Sequence, residues 1–263
     1  MIKPKFRQGT WDADIFRGIV ELNEYKIPND LSNIKVIDIG GHIGSFSFLA
    51  AKNKAKEIFY CEALRENFDI GMEWINESFY KQKVKNSPVF VTFNVAVWKE
   101  DENDKLTFIK SSNDINTGGG SVMTSEVREE EYQVNTFPFD EMLRIRLYKN
   151  KSKEKVLLKL DCEGSEFPIL FASKRLDDID YICGEYHELY QYIPDIAKVE
   201  GYESYDVYTL QKFLKENGFT YTYFDRSVDS EGGKVNLGHF WASKTKDNFF
   251  VGIDLKEEYQ LEI

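Results

Sequence analysis

The chain has 263 residues, enough for one large α/β domain or at most two small ones. Lys and Arg number 34 against 45 Asp and Glu, and the resulting net charge of −11 removes any general pull toward a phosphate backbone, so nucleic acid is set aside as a partner. Hydrophobic residues at 42% support an ordinary core, and 20 Phe with 15 Tyr suggest a core and a pocket rich in rings.

The opening MIKPKFRQGTWDADIF lacks the apolar run of a signal peptide. No stretch approaches the roughly 18 apolar residues of a membrane span, so a cytoplasmic protein with no transmembrane segment is expected. Cys61, Cys162 and Cys183 are odd in number and lack CxxC spacing. Each lies in or just after an apolar run, which reads as a buried thiol in a reducing compartment.

WDADIFRGIVELNEYK (11–26) places Ile15, Ile19 and Leu22 at helical spacing, with Asp12 as a candidate cap. Pro28, Asn29 and Asp30 break the chain before KVIDIG (35–40), the first sheet strand, and a helix follows from Ser45. EIFYCEA (57–63) is a second strand with an acidic end, followed by a helix near 66–80. VFVTFNVAVW (89–98) is one continuously apolar run, KLTFIK (105–110) an added strand, and 111–135 an irregular polar segment holding Gly118, Gly119 and Gly120. This glycine loop reads as a surface turn or a lid. A basic loop, YKNKSKEK, precedes KVLLKLD (155–161), a short helix near 167–173 and the strand YICGEYHE (181–188). A helix over 206–218 stops at Gly218, and TYTYFD and LGHFWASK form a closing antiparallel pair. Strands alternating with helices point to a doubly wound parallel sheet. One domain is expected over 1–263: a helical cover (1–33), a sheet core (34–245) with an insertion near 100–135, and a tail (246–263).

Ligands of open α/β sheets sit at the carboxyl ends of strands. The first such end here is DIGGHIG (38–44), where glycines permit a tight turn and the next helix offers free N–H groups. Glu62, 24 residues after Asp38, is placed to bind ribose hydroxyls. The loop is not G-x-G-x-x-G, and Asp38 repels phosphate but could accept from an ammonium, directly or through water. A nicotinamide oxidoreductase therefore remains only as an alternative, as does a non-catalytic scaffold that binds an adenosyl ligand.

Read together, FRQGTWDADIFRGIVELNEY, VIDIGGHIGSFS, CEALRENF, NVAVW, FPFDEML, LLKLDCEGSEFPIL and ICGEYHE occur in an order that resembles the FkbM methyltransferases, over roughly residues 6–188. KLDCEGSE is the most specific element. The resemblance implies an α/β class I methyltransferase fold: a Rossmann-like, seven-stranded, mostly parallel sheet with helices on both faces and a final antiparallel hairpin. It implies S-adenosyl-L-methionine as cofactor, leaving as S-adenosyl-L-homocysteine, and methylation of a hydroxyl on a sugar, glycan or similar small polyhydroxylated molecule. Asp38, Gly40, Gly41, His42 and Gly44 would line the methionine end, and Glu62 would hold the ribose. Asn94 and Ala96 would lie beside adenine, and the segment with Arg7, Thr10 and Asp12 would fold over the cofactor. His42 stands where the family usually has Asn, Gly41 where it has Ala, and Ala63 where it has Pro.

Asp161, Glu163 and Glu166 follow a buried strand, and Glu185 and His187 share one face of the next. A base working near neutral pH is most naturally a histidine, so His187 is the first choice, assisted by Asp161, Glu185 or Glu163. Glu166 and Ser165 also read as caps. The same oxygen-rich set could hold Mg or Mn through Asp161, Glu185 and His187, with metal-free chemistry ranked ahead. His239 reads as a core or edge histidine. Nine tyrosines between 181 and 223 offer faces for a sugar or for core packing.

Overall fold

The computed structural model describes residues 2–81, 87–100, 104–110, 115–123, 131–147, 154–189, 192–227 and 236–257. Parts of the expected insertion (101–103, 111–114, 124–130), most of the basic loop (148–153) and the end of the tail (258–263) lie outside the described residues.

The central strand β1 (Ile34–Ile39) is buried at all six positions. That is what β-branched residues achieve when a parallel strand is covered on both faces. It pairs in parallel with β2 (Glu57–Cys61) on one side and β7 (Lys155–Leu160) on the other. The other strands of the main sheet are β3 (Val89–Phe93), β8 (Tyr181–His187), β9 (Tyr221–Phe224) and β10 (Leu237–Ser243), and the order is β3-β2-β1-β7-β8-β10-β9. β10 runs antiparallel to both β8 and β9, closing the sheet with the expected hairpin. Successive residues of each strand point to opposite faces. Ile37, Phe59 and Leu158 thus enter one apolar core, and Val36, Ile58 and Leu157 enter the other.

The chain leaves β1 toward β2 and returns on the far side to β7, which makes the carboxyl ends of β1 and β7 a topological switch point. The helices are α1 (Asp12–Phe16), α2 (Ser45–Lys52), α3 (Arg65–Ile75), α4 (Phe139–Leu147), α5 (Glu166–Ala172) and α6 (Val207–Glu216).

Three local readings need correction. The apolar run 89–98 is two strands: it breaks after Phe93, and β4 (Ala96–Trp98) joins a second sheet of order β4-β6-β5, with β5 (Lys105–Ile109) and β6 (Glu131–Pro138). The polar segment 111–135 therefore ends inside a strand. The first helix is not one amphipathic unit, because α1 passes into a π-turn over Arg17–Glu21. The wider turn rotates the buried face, so Phe16, Ile19 and Val20 go inward while Leu22 is 63% exposed. Asp12 is the first residue of α1 and not its cap.

Candidate active site

At the switch point the chain turns on Gly40 and Gly44, with φ of +69° and +84°. A Cβ on Gly40 would sit 1.7 Å from the Asp161 carbonyl oxygen, so no side chain fits between the ends of β1 and β7. Above this turn lies a cavity of about 390 Å³. Its floor is Gly40, Gly41 and His42. One wall carries Glu62, Ala63 and Val95 to Val97, and the other Asp161, Glu163, Glu185 and His187. Trp11, Ile15 and Ile19 of the N-terminal segment and Gly118 and Gly120 of the glycine loop also border it.

At the floor end, Glu62 is 7% exposed and accepts from the backbone N–H of His42 and of Leu64. Burial, opposed by those two N–H groups, pushes its carboxyl up to about 7. Asn67 donates to the Thr117 carbonyl at 3.1 Å, while its own carbonyl oxygen is buried without a protein partner. Asp38 does not reach the cavity. Fully buried, it accepts from the Ser47 amide and hydroxyl and lies 3.4 Å from Lys159 Nζ. Burial raises its carboxyl, with Lys159 opposing. Gly44 lies outside the lining, against the Trp74 indole. Ala96 lines the cavity, whereas Asn94 sits behind it, its amide donating to the carbonyls of Glu62 and Ala63.

Arg7, Thr10 and Asp12 form the frame of the N-terminal segment and stay outside the lining. The fully buried Asp12 carboxylate accepts from Arg7 at 2.9–3.0 Å and from the Thr117 hydroxyl at 2.6 Å. The Thr10 hydroxyl donates to the Arg7 carbonyl. Burial alone would raise the Asp12 pKa, but the bonds from Arg7 and Thr117 outweigh it and hold it low.

At the opposite end the expected acids do converge. His187 Nε2 lies 3.4 Å from both Glu163 and Glu185, and its Nδ1 lies 3.4 Å from Glu166. Burial would lower the His187 pKa, but Glu166, Glu185 and Glu163 hold it well above the ordinary value. That direction favours the protonated imidazole over the free base. Glu163, in a left-handed conformation with φ of +55°, is pushed up to about 8 by burial, His187 opposing and Asp161 adding to the rise. Glu166 does not line the cavity: it is fully buried and accepts from the Cys162 and Gly164 amides, closing the turn after β7. Asp161, Glu163 and His187 each offer one atom, all within 4.8 Å of one another, a set that could hold a metal ion. Glu163 takes the place in this set that had been expected of Glu185.

Several wall residues escaped the sequence. Tyr25 donates to Asp161 Oδ2 at 2.8 Å, and Glu24 and His239 also border the cavity. Burial, then Asp161 and Glu185, push the Glu24 carboxyl up to about 7. His239 faces Glu185 across the β8–β10 register and packs against the Tyr25 ring at 5.7 Å, so it belongs to the wall and not simply to the core. Register could have found it, since β8 and β10 were both legible. Among the described residues Tyr25 is the single tyrosine of the lining; within the stretch 181–223, Tyr181, Tyr186 and Tyr205 are buried in the core while Tyr192 and Tyr208 are exposed. Cys162 is half-buried at the cavity, unlike the buried Cys61 and Cys183.

A model of the methyltransferase FkbM domain matches residues 38–221. The chain belongs to the FkbM methyltransferase family. Its sheet is that of a class I methyltransferase, and the family's cofactor is S-adenosyl-L-methionine. The cavity suits that cofactor: a glycine floor that admits no side chain, a buried acid on the next strand, and polar atoms of His42 and Asn67 lacking protein partners. The nicotinamide alternative falls with this assignment. No curated protein sequence matches the chain. Solved structures resemble it at low identity: WbdD at 12% (TM-score 0.44, covering 89% of this chain), a SAM-dependent methyltransferase of Agrobacterium tumefaciens at 8% (0.37, 88%), and magnesium protoporphyrin IX methyltransferase of Synechocystis PCC 6803 at 10% (0.36, 89%). The chain spans 42% of WbdD, 60% of the Agrobacterium protein and 77% of the Synechocystis enzyme. Among the described residues no helix is long and apolar enough to cross a membrane.

Proposed function

We propose that the chain is an O-methyltransferase acting on a hydroxyl of a sugar, glycan or similar small polyhydroxylated molecule. The observation that carries this reading is the carboxylate–imidazole cluster of Asp161, Glu163, Glu185 and His187 across the cavity from Glu62. A hydroxyl must lose a proton as it attacks, and the carboxylates of this cluster supply groups able to take it.

Bound S-adenosyl-L-methionine supplies an already activated methyl group. The chain's task is to hold and align. Glu62 can accept from ribose hydroxyls through lone pairs left free by its two backbone bonds. Asp161 is fixed by the Tyr25 hydroxyl and by Lys159 Nζ at 3.6 Å. Glu185, its side chain 23% exposed, takes the hydroxyl proton, and His187 holds Glu185 and Glu163 in place through its own proton. Alignment can supply about 7–11 kcal/mol, while a general base adds only about 10²–10⁴-fold, so positioning dominates.

Glu185→Gln tests the assignment. It should lower methyl transfer to a polyol acceptor by about 10²–10⁴-fold, with S-adenosylhomocysteine affinity nearly unchanged by calorimetry. An unimpaired variant would remove Glu185 from the chemistry. A second reading has the convergent atoms of Asp161, Glu163 and His187 hold Mg²⁺ or Mn²⁺. Chelator should then abolish activity and added Mg²⁺ or Mn²⁺ restore it; chelator-insensitive turnover excludes it.

A further inference from the structure

Thr117 lies in the glycine loop, outside every motif read from the sequence, yet three segments meet on it. Its hydroxyl donates to Asp12 Oδ1 at 2.6 Å. The same oxygen lies 2.9 Å from His42 Nε2, and its carbonyl accepts from Asn67 at 3.1 Å. Next to it, the Trp11 amide donates to the Ile115 carbonyl. Four residues on, the Ser121 hydroxyl donates to the Glu163 carbonyl at 2.6 Å. One short loop thus touches the N-terminal segment, the glycine floor and α3 at the cofactor end, and the acid cluster at the other.

A hydroxyl has one proton. The short contact to an ionised carboxylate takes it, so Thr117 can only accept from His42, and Nε2 must carry a hydrogen. The Arg7 contact to Nε2 is longer, at 3.3 Å. Nδ1 is buried without a partner. A bare acceptor in that position is less costly than an orphaned N–H, which native structures rarely tolerate. Both arguments select the neutral Nε2–H tautomer. Burial acts the same way, bringing the His42 pKa down to about 4 against the opposing pull of Asp12.

We propose that Thr117 is a positioning residue for the cofactor: by donating a hydrogen bond to Asp12 and accepting one from His42, it fixes the His42 tautomer and ties the glycine loop and the N-terminal segment over the cofactor end of the cavity. The proposal rests on the reading of this cavity as the cofactor site. It also accounts for a histidine where the family usually carries Asn, since Nε2–H reaches the loop hydroxyl while the backbone N–H of the same residue serves Glu62.

The test uses ¹⁵N-labelled full-length protein, whose three histidines are separable by single variants. Imidazole ¹⁵N shifts of the ligand-free wild type should show His42 protonated at Nε2 and bare at Nδ1. Thr117→Val keeps the shape and should lose that pure signature. Its affinity for S-adenosylhomocysteine should fall about tenfold, the scale of one hydrogen bond to a charged group. Thr117→Ser should restore both. A merely structural threonine would lower thermal stability and leave tautomer and affinity untouched in the folded protein. A wild-type His42 found as Nδ1–H or imidazolium overturns the proposal without need of any variant. Wild-type binding with unchanged Thr117→Val affinity also overturns it and leaves the cofactor reading standing. A wild type that binds no S-adenosylhomocysteine removes the cofactor reading itself.

Discussion

The phenol of Tyr25 donates to Asp161 Oδ2 at 2.8 Å, joining residues 136 positions apart. The bond hooks the end of the N-terminal segment onto the acid cluster, and Lys159 lies 5.7 Å from the same ring. Tyr25→Phe removes one hydrogen bond to a carboxylate and little volume. Turnover should fall about tenfold, the scale of such a bond, with S-adenosylhomocysteine affinity essentially kept. Steady-state kinetics beside calorimetry check this; equal losses in both would make Tyr25 a cofactor residue instead.

With Glu62 as the proposed ribose ligand, cofactor binding should be coupled to protons. The Glu62 carboxyl stands near 7 because it is buried. Ribose hydroxyls donate to the ionised form and favour it. Binding should therefore release a proton below pH 7, and affinity should rise between pH 6 and 8. Calorimetry in two buffers of different ionisation heat measures the release. Glu62→Gln should bind more weakly and lose the pH dependence; a pH-independent wild type would refute the coupling.

Lys159 is the buried counter-charge of the sheet ends. It is 2% exposed, donates to the Gly40 carbonyl at 2.7 Å, and lies within 3.6 Å of both Asp38 and Asp161. Burial would depress its pKa, but Asp161 and Asp38 outweigh that and hold it above the ordinary lysine value. Lys159→Met strands two acids and should destabilise by about 3–5 kcal/mol. Adding Asp38→Asn should recover part of that loss in urea unfolding. Strict additivity of the two substitutions would show that the charges are not coupled.

Glu24 makes stability fall with pH. Its folded carboxyl stands near 7 against an ordinary 4.5. The folded protein therefore holds a proton that the unfolded chain gives up. No penalty acts below about pH 4.5; it grows up to about pH 7 and then stays constant. Glu24→Gln should raise the Tm of the ligand-free protein by a few degrees at pH 8, about 1–2 kcal/mol for a chain of this size, and change little at pH 4.5. An equal gain at both values would point to packing instead of charge.

The parallel sheet was legible because β-branched runs and helical segments alternate, and the switch point followed from strand order. Glu62, His187 and the acids after β7 were legible because they stand at strand ends, where topology fixes position. Tyr25, Glu24 and Thr117 were not, because they reach the cavity from connecting segments whose path depends on tertiary contacts. The Asp12 carboxylate was mistaken for a cap since local spacing cannot reveal that Arg7 and Thr117 compete for it. The upward shift of the His187 pKa was likewise hidden, because it depends on three carboxylates meeting in space.

The indole of Trp241 in β10 donates to the Tyr25 carbonyl across 216 positions. During synthesis the Tyr25 segment leaves the ribosome long before the strand that holds it from behind. A nascent chain can stack β1, β2, β3, β7 and β8 while this support is still missing. Cofactor capture should therefore mature late in translation, after the hairpin that carries Trp241 has closed the sheet.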